Sequence, residues 1–266
     1  MKLIPILAAS FLHALAGTAG AQIVNIDFDE FSTNQVYQGS AAANDPNGAA
    51  SIWNRLSGNS AGSGSVNGLN LLDSDGEETG IGISFGISGS YHSGSNPLQP
   101  GQQQLGPYED LMTDYVFISA TTPADVITRT GLITGLDPGK LYDIYFYGQG
   151  NNFLDAYSEG QNSLFTVDGI SQQTSWDEVV GGDGQLVEGI EYVRFSVTAN
   201  LSGEISFDWS NVVAGPGGNV ATDLDGNASR FGVLNAIQIV DVAAVPEPSA
   251  MLLGGIGMLA LLRRRR

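Results

Sequence analysis

The sequence predicts an all-β fold, an antiparallel two-sheet sandwich of jelly-roll or Greek-key type. Three observations carry that prediction. Short runs of alternating apolar and polar residues recur along the chain. Clusters of Gly, Asn, Asp and Pro separate them. No window sustains an apolar period of 3.6 residues, so helix content is expected to be small.

Ten runs read as strands: residues 23–28, 51–56, 80–87, 115–119, 126–133, 141–147, 163–167, 192–198, 204–209 and 233–242. In the run 205–209, Ile205, Phe207 and Trp209 face one way while Ser206 and Asp208 face the other. Val193, Phe195 and Val197 repeat that alternation against Arg194, Ser196 and Thr198. Bulky residues on both faces of 141–147 mark a central strand. Segments 34–50 and 88–107 are small and polar and read as long surface loops.

One turn has mechanical meaning. Leu136-Asp137-Pro138-Gly139-Lys140-Leu141-Tyr142 follows the spacing L-x-P-G-x-x-Y into a strand. It resembles the tyrosine corner of fibronectin-type sandwiches. That resemblance implies that Pro138-Gly139 turns the chain, Leu136 packs inward, and the Tyr142 hydroxyl bonds backbone a few residues upstream. The overall pattern also resembles jelly-roll, galactose-binding-like modules, a likeness of architecture and not of site.

Composition narrows the function classes. The chain has 266 residues, no Cys and a formal net charge of −18. Without Cys there are no disulfides, thiolate metal sites or thiol nucleophiles. Between residues 22 and 244 five basic residues face 27 acidic ones, a balance of −22. Such a surface repels phosphate backbones and argues against nucleic-acid binding. It suits solubility outside a cell and attracts divalent cations.

The two ends read as addresses. Residues 1–21 form a signal peptide: Lys2 is the basic start, 3–16 the apolar run, and Ala19-Gly20-Ala21 the small-residue cleavage pattern, with Gln22 the first mature residue. Residues 22–244 form the sandwich domain. Residues 245–266 begin with Val245-Pro246-Glu247-Pro248, continue through 13 uncharged residues at 250–262, and close on Arg263, Arg264, Arg265 and Arg266. A helix over the apolar stretch spans about 20 Å, short of the ~30 Å bilayer core. It is still expected to lodge transiently in an inner membrane with the arginines on the cytoplasmic side. Pro246-Glu247-Pro248, the apolar segment and the arginine cluster together resemble the PEP-CTERM sorting signal. That resemblance implies a Gram-negative cell making exopolysaccharide. It also implies export by the secretion machinery and processing near residues 246–248 by an exosortase, a membrane-embedded transpeptidase-like enzyme.

Chemistry is harder to place. Once the signal peptide is removed His92 is the one histidine, so no His-rich zinc site is possible and a Ser-His-Asp site has little to draw on. Glu77-Glu78, Glu109-Asp110 and Asp177-Glu178 are carboxylate pairs of the kind a glycoside hydrolase needs, yet 27 acidic residues guarantee pairs by number alone. A structural calcium ion is the better chemical expectation. Asp73, Asp75 and Glu77 surround one glycine turn, Asp223, Asp225 and Asn227 another, and Asp27-Phe28-Asp29-Glu30 offers a third acidic run. Asp-Gly and Gly-Asn are also ordinary hairpin-turn residues, so solvated turns account for the same pattern. For a carbohydrate ligand, Trp176, Tyr157 and Tyr91 are the candidate stacking platforms, with Trp53 and Tyr108 behind them; Trp209 belongs to the core. The reading is an exported, non-catalytic component of the cell surface or exopolysaccharide matrix. The alternatives are a carbohydrate-binding module, with or without calcium, and a carboxylate-dependent glycoside hydrolase.

Overall fold

The computed structural model describes residues 22–29, 36–43, 51–57, 64–92, 106–150, 161–175, 185–220 and 229–242. The expected signal peptide, which is read as helical, the apolar C-terminal helix and the sorting motif lie outside these residues. Among the described residues, no helix is long and apolar enough to cross a membrane.

In chain order the strands are β1 (Ile23–Asp29), β2 (Trp53–Ser57), β3 (Gly64–Gly68), β4 (Gly82–Ile87), β5 (Gly89–His92), β6 (Asp114–Ser119), β7 (Thr128–Thr134) and β8 (Leu141–Tyr147). There follow β9 (Gln149–Gly150), β10 (Gln161–Val167), β11 (Ile170–Gln173), β12 (Tyr192–Thr198), β13 (Ile205–Asn211), β14 (Phe231–Leu234) and β15 (Ala236–Asp241). One helical turn, α1 (Glu109–Met112), precedes β6.

A five-stranded sheet runs β12-β8-β15-β1-β2. It is antiparallel except where β1 and β2 pair in parallel. A second sheet runs β11-β10-β13-β7-β4-β3, with β9 on β10. A short third sheet, β14-β6-β5, is an addition to the expected pair. All three bury side chains in one cluster. It includes Val24, Ile26 and Phe146 of the first sheet, Phe85, Phe165 and Trp209 of the second, and Val116 and Ile118 of the third. Phe146 stacks on Phe165 at 4.7 Å, and the Phe28 ring meets Phe85 edge-on at 5.3 Å, so aromatic contacts join the layers.

Three readings of the sequence change. The run 233–242 is two strands, because Asn235 leaves the ladder between them. Its side chain donates to the carbonyls of Met112 and Asp114, and its Oδ1 accepts the Gln149 N–H. The segment 88–107 is not all loop, since β5 pairs with β6. Residues 36–43, read as part of a surface loop, form a strap against the outer face of the five-stranded sheet, with Tyr37, Ala41 and Ala43 buried.

A candidate glycan face on the five-stranded sheet

Alternation on the five-stranded sheet sends Ile144, Phe146, Val193 and Phe195 into the core. Their neighbours face outward, and strand register arranges them in two rows. Tyr192, Tyr147, Ala236, Asp27 and Arg55 form one; Arg194, Tyr145, Gln238, Asn25 and Trp53 form the other.

The strap covers the half of this face over β15, β1 and β2. The Tyr37 N–H donates to Asp27 Oδ2 at 2.8 Å, and the Ala42 N–H donates to the Tyr147 hydroxyl at 2.8 Å. Gln238 binds Ala43 on both sides, accepting its N–H and donating to its carbonyl. Trp53 Nε1 donates to the Gly39 carbonyl at 3.0 Å. Tyr37 and Trp53 rings meet edge-on at 5.1 Å. Trp53 is therefore a buried packing residue, and Tyr108 packs half-buried against Tyr37. Beneath the strap Asp27 is 1% exposed, and its Oδ1 has no hydrogen-bond partner among the described residues. Burial raises its pKa to about 8, against the lowering effect of the Tyr37 N–H.

The other part, over β12 and Tyr145 of β8, is partly exposed, with half-buried Leu186 packed against the cluster of Tyr37, Trp53 and Tyr147. Tyr145 and Tyr192 are half-buried, with ring centroids 5.8 Å apart, and Tyr192 also lies 5.5 Å from buried Tyr147. Burial raises the pKa of both half-buried tyrosines, keeping their hydroxyls as neutral donors. The Arg194 guanidinium sits over the Tyr145 ring at 5.5 Å and pairs with Asp143. Asp143 also accepts the Ser196 hydroxyl. The Arg194 side chain is 43% exposed and that of Asp143 8%, so the pair presents donors to solvent above an anchored carboxylate. Aromatic edges and faces beside fixed polar groups are what binding a hydroxylated ring requires.

Around the outer edge of β12, where the Gln172 side chain donates to the Arg194 carbonyl at 2.7 Å, the surface continues into a cleft of about 410 Å³. Exposed Ser196, Thr198, Ser206 and Asp168 and half-buried Glu204 line it, over a floor of Val167, Val197 and Ile205.

The candidates drawn from sequence fare differently. Tyr91 lies on β5, on the third sheet, where its ring packs 5.5 Å from Tyr115. Trp176 and Tyr157 fall outside the described residues, as do Asp223, Asp225 and Asn227, the cleavage residues Ala19 and Ala21, and the residues of the sorting motif. Gln22 is described, and its carbonyl accepts the Asp241 N–H. The Asp73 turn does not gather its carboxylates. Asp73 Oδ1 accepts the N–H groups of Asp75 and Glu77, capping its own turn, while Asp75 and Glu77 are exposed. Among the described residues, no three His, Cys, Asp or Glu side chains come together as a metal group. Sequence reasoning missed Tyr145, Tyr192 and Arg194. Each lies on a recognised strand, but only pairing shows that they meet.

Residues 244–266 match the PEP-CTERM protein-sorting motif. The motif marks an exported cell-envelope protein processed by an exosortase. A comparison with curated proteins finds no match. Among solved structures, the chain is similar to the plant receptor-like kinase ANX2, with 12% identity, TM-score 0.43, and coverage of 85% of this chain and 51% of that one. The ANXUR1 extracellular domain from Arabidopsis thaliana aligns with the same coverage and identity at TM-score 0.41. The chain thus spans about half the length of both. TmCBM61, solved in complex with β-1,4-galactotriose, aligns over 48% of this chain and 70% of its own, at 12% identity and TM-score 0.24.

Proposed function

We propose that this protein is an exported, non-catalytic component of the cell surface or exopolysaccharide matrix that holds polysaccharide on its tyrosine face. The observation that carries the reading is the half-open pair Tyr145–Tyr192, flanked by Arg194 and Asp143, on a sheet whose other half is covered. Among the described residues, the strap leaves this strip as the partly exposed aromatic part of that face. Aromatic rings supply apolar area for the faces of sugar rings. Arg194 and the tyrosine hydroxyls supply hydrogen-bond donors, and the Asp143 pairing fixes the guanidinium. Sorting through the inner membrane delivers the domain to where such polymers lie. The test is retention of the exported, processed protein on immobilised polysaccharides, including its own cell's exopolysaccharide. Retention that falls at least tenfold in Tyr192→Ala, with circular dichroism unchanged, is the expected result. No retention on any glycan would overturn the reading.

A further inference from the structure

The geometry points to a ligand that is an internal stretch of an uncharged, linear polysaccharide, laid along β12 from the tyrosine pair to the cleft. This rests on the glycan reading above and adds chain length and charge class to it. Two observations carry it.

The first is continuity. Tyr192, Arg194, Ser196 and Thr198 are alternate residues of β12, the end strand of its sheet, whose Arg194 carbonyl accepts the Gln172 side-chain N–H from β11. Tyr192 stands in the tyrosine pair, Arg194 and Ser196 are both tied to Asp143, and Ser196 and Thr198 line the cleft. From Tyr192 to Thr198 a strand rises about 20 Å. That track exceeds one pyranose ring, so it suits the middle of a chain better than a terminal residue held in a pocket.

The second is charge. Arg194 is the one basic residue on the track, and Asp143 already neutralises it. The cleft contributes Asp168 and Glu204 with no cation among its lining residues. Glu188 adds its field at Tyr145 and Tyr192. A uronate or sulfated polymer would meet Glu188 at one end of the path and Asp168 and Glu204 at the other, in a mature segment of charge −22. An uncharged sugar meets acceptors for its hydroxyls instead, three of them from Ser196, Thr198 and Ser206.

The test is calorimetric titration of the exported, processed protein with neutral monosaccharides, their β-linked di-, tetra- and hexasaccharides, soluble galactan and β-glucan, and alginate and polygalacturonate. Affinity is expected to rise at least tenfold from disaccharide to hexasaccharide, with alginate and polygalacturonate bound at least tenfold more weakly than a neutral polymer at low salt. The double variant Asp168→Asn, Thr198→Ala keeps a residue that tolerates the left-handed turn at position 168. It should weaken the hexasaccharide at least fivefold and leave the disaccharide unchanged. A monosaccharide binding as tightly as the hexasaccharide overturns the inference. So does equal affinity for alginate, or a double variant that binds like the parent while Tyr192→Ala does not; in those cases the glycan face itself survives. No binding to any of these glycans removes both readings.

Discussion

The Tyr142 hydroxyl accepts the backbone N–H of Asp137 at 3.0 Å and closes the corner that feeds β8. Leu136 is buried beside it, and Gly139 takes φ +76°, a left-handed conformation that favours glycine. The corner docks on the turn before β13, with the Leu136 N–H on the Gly203 carbonyl and the Gly139 N–H on the Ala199 carbonyl. Tyr142→Phe keeps the ring and leaves the Asp137 N–H unpartnered. The expected cost is about 1 kcal/mol. It should lower the urea midpoint with the slope unchanged. An unmoved midpoint would show that the corner is held by packing alone.

At the centre of the second sheet Gly131 pairs across from Phe207. A Cβ placed on Gly131 would overlap the Phe207 ring, which itself touches Phe85 and Phe146. The ring cannot retreat without disturbing both sheets. Gly131→Ala is expected to destabilise by about 1–3 kcal/mol through overpacking. The measure is thermal melting, with Gly86→Ala on β4 as the control. There an added methyl meets only the Arg129 side chain and the Gly64 carbonyl at ordinary distances. Equal melting of the two variants would refute the packing account.

The strands with strong alternation were legible. β8 and β12 occupy the residues predicted, and the corner bond forms as the turn chemistry requires. β3, with Gly-Ser-Val-Asn-Gly, carries one apolar residue to bury and gives no alternation to detect. β5 and β11 are four residues each, too short for a period to register. Asn235 looks like a strand residue because its role, bridging to Met112 and Asp114, is set by elements more than 100 positions away. The tyrosine face was illegible for the same reason. The sequence shows Tyr145 and Tyr192 on separate strands, and only the β8–β12 register makes them neighbours. Bulk on both faces of β8 is as compatible with a covered strand as with an open platform. The strap covers Tyr147 and leaves Tyr145 partly bare.

Asp27 gives a pH dependence with a definite sign. Its pKa rises from 3.8 to about 8 on folding, chiefly through burial. Between those values the folded chain keeps a proton that the unfolded chain has released. The contribution to stability is therefore full below about pH 4, declines as pH rises, and levels off above about pH 8. The slope is about 1.4 kcal/mol per pH unit where the two states differ by one proton. Asp27→Asn keeps an acceptor for the Tyr37 N–H and cannot ionise. The variant should gain on the parent by a few kcal/mol between pH 4.5 and 8.5, measured by urea unfolding at each pH. Groups remote from Asp27 titrate alike in both proteins and cancel in the difference. Parallel curves across the range would mean that Asp27 is ionised beneath the strap.

Processing should remove both ends without touching the fold. The Asp241 N–H donates to the Gln22 carbonyl at 3.0 Å, and Ile23 pairs with Val240, so the first expected mature residue and the last strand hold each other. Asp241 also faces Lys140 at 3.3 Å. Cleavage after residue 21 and near residues 246–248 therefore leaves the β1–β15 ladder whole. Intact-mass measurement of the exported protein should show it without Arg263–Arg266 and beginning at Gln22; the arginines persisting on exported protein would contradict exosortase processing. A chain ending at residue 244 should melt as the exported protein does. One ending at residue 238 loses Ile239, Val240 and Asp241, and with them an interior strand's pairing to both β1 and β8. It should fail to fold, and a cooperative melt from that truncation would show that β15 is dispensable to the sandwich.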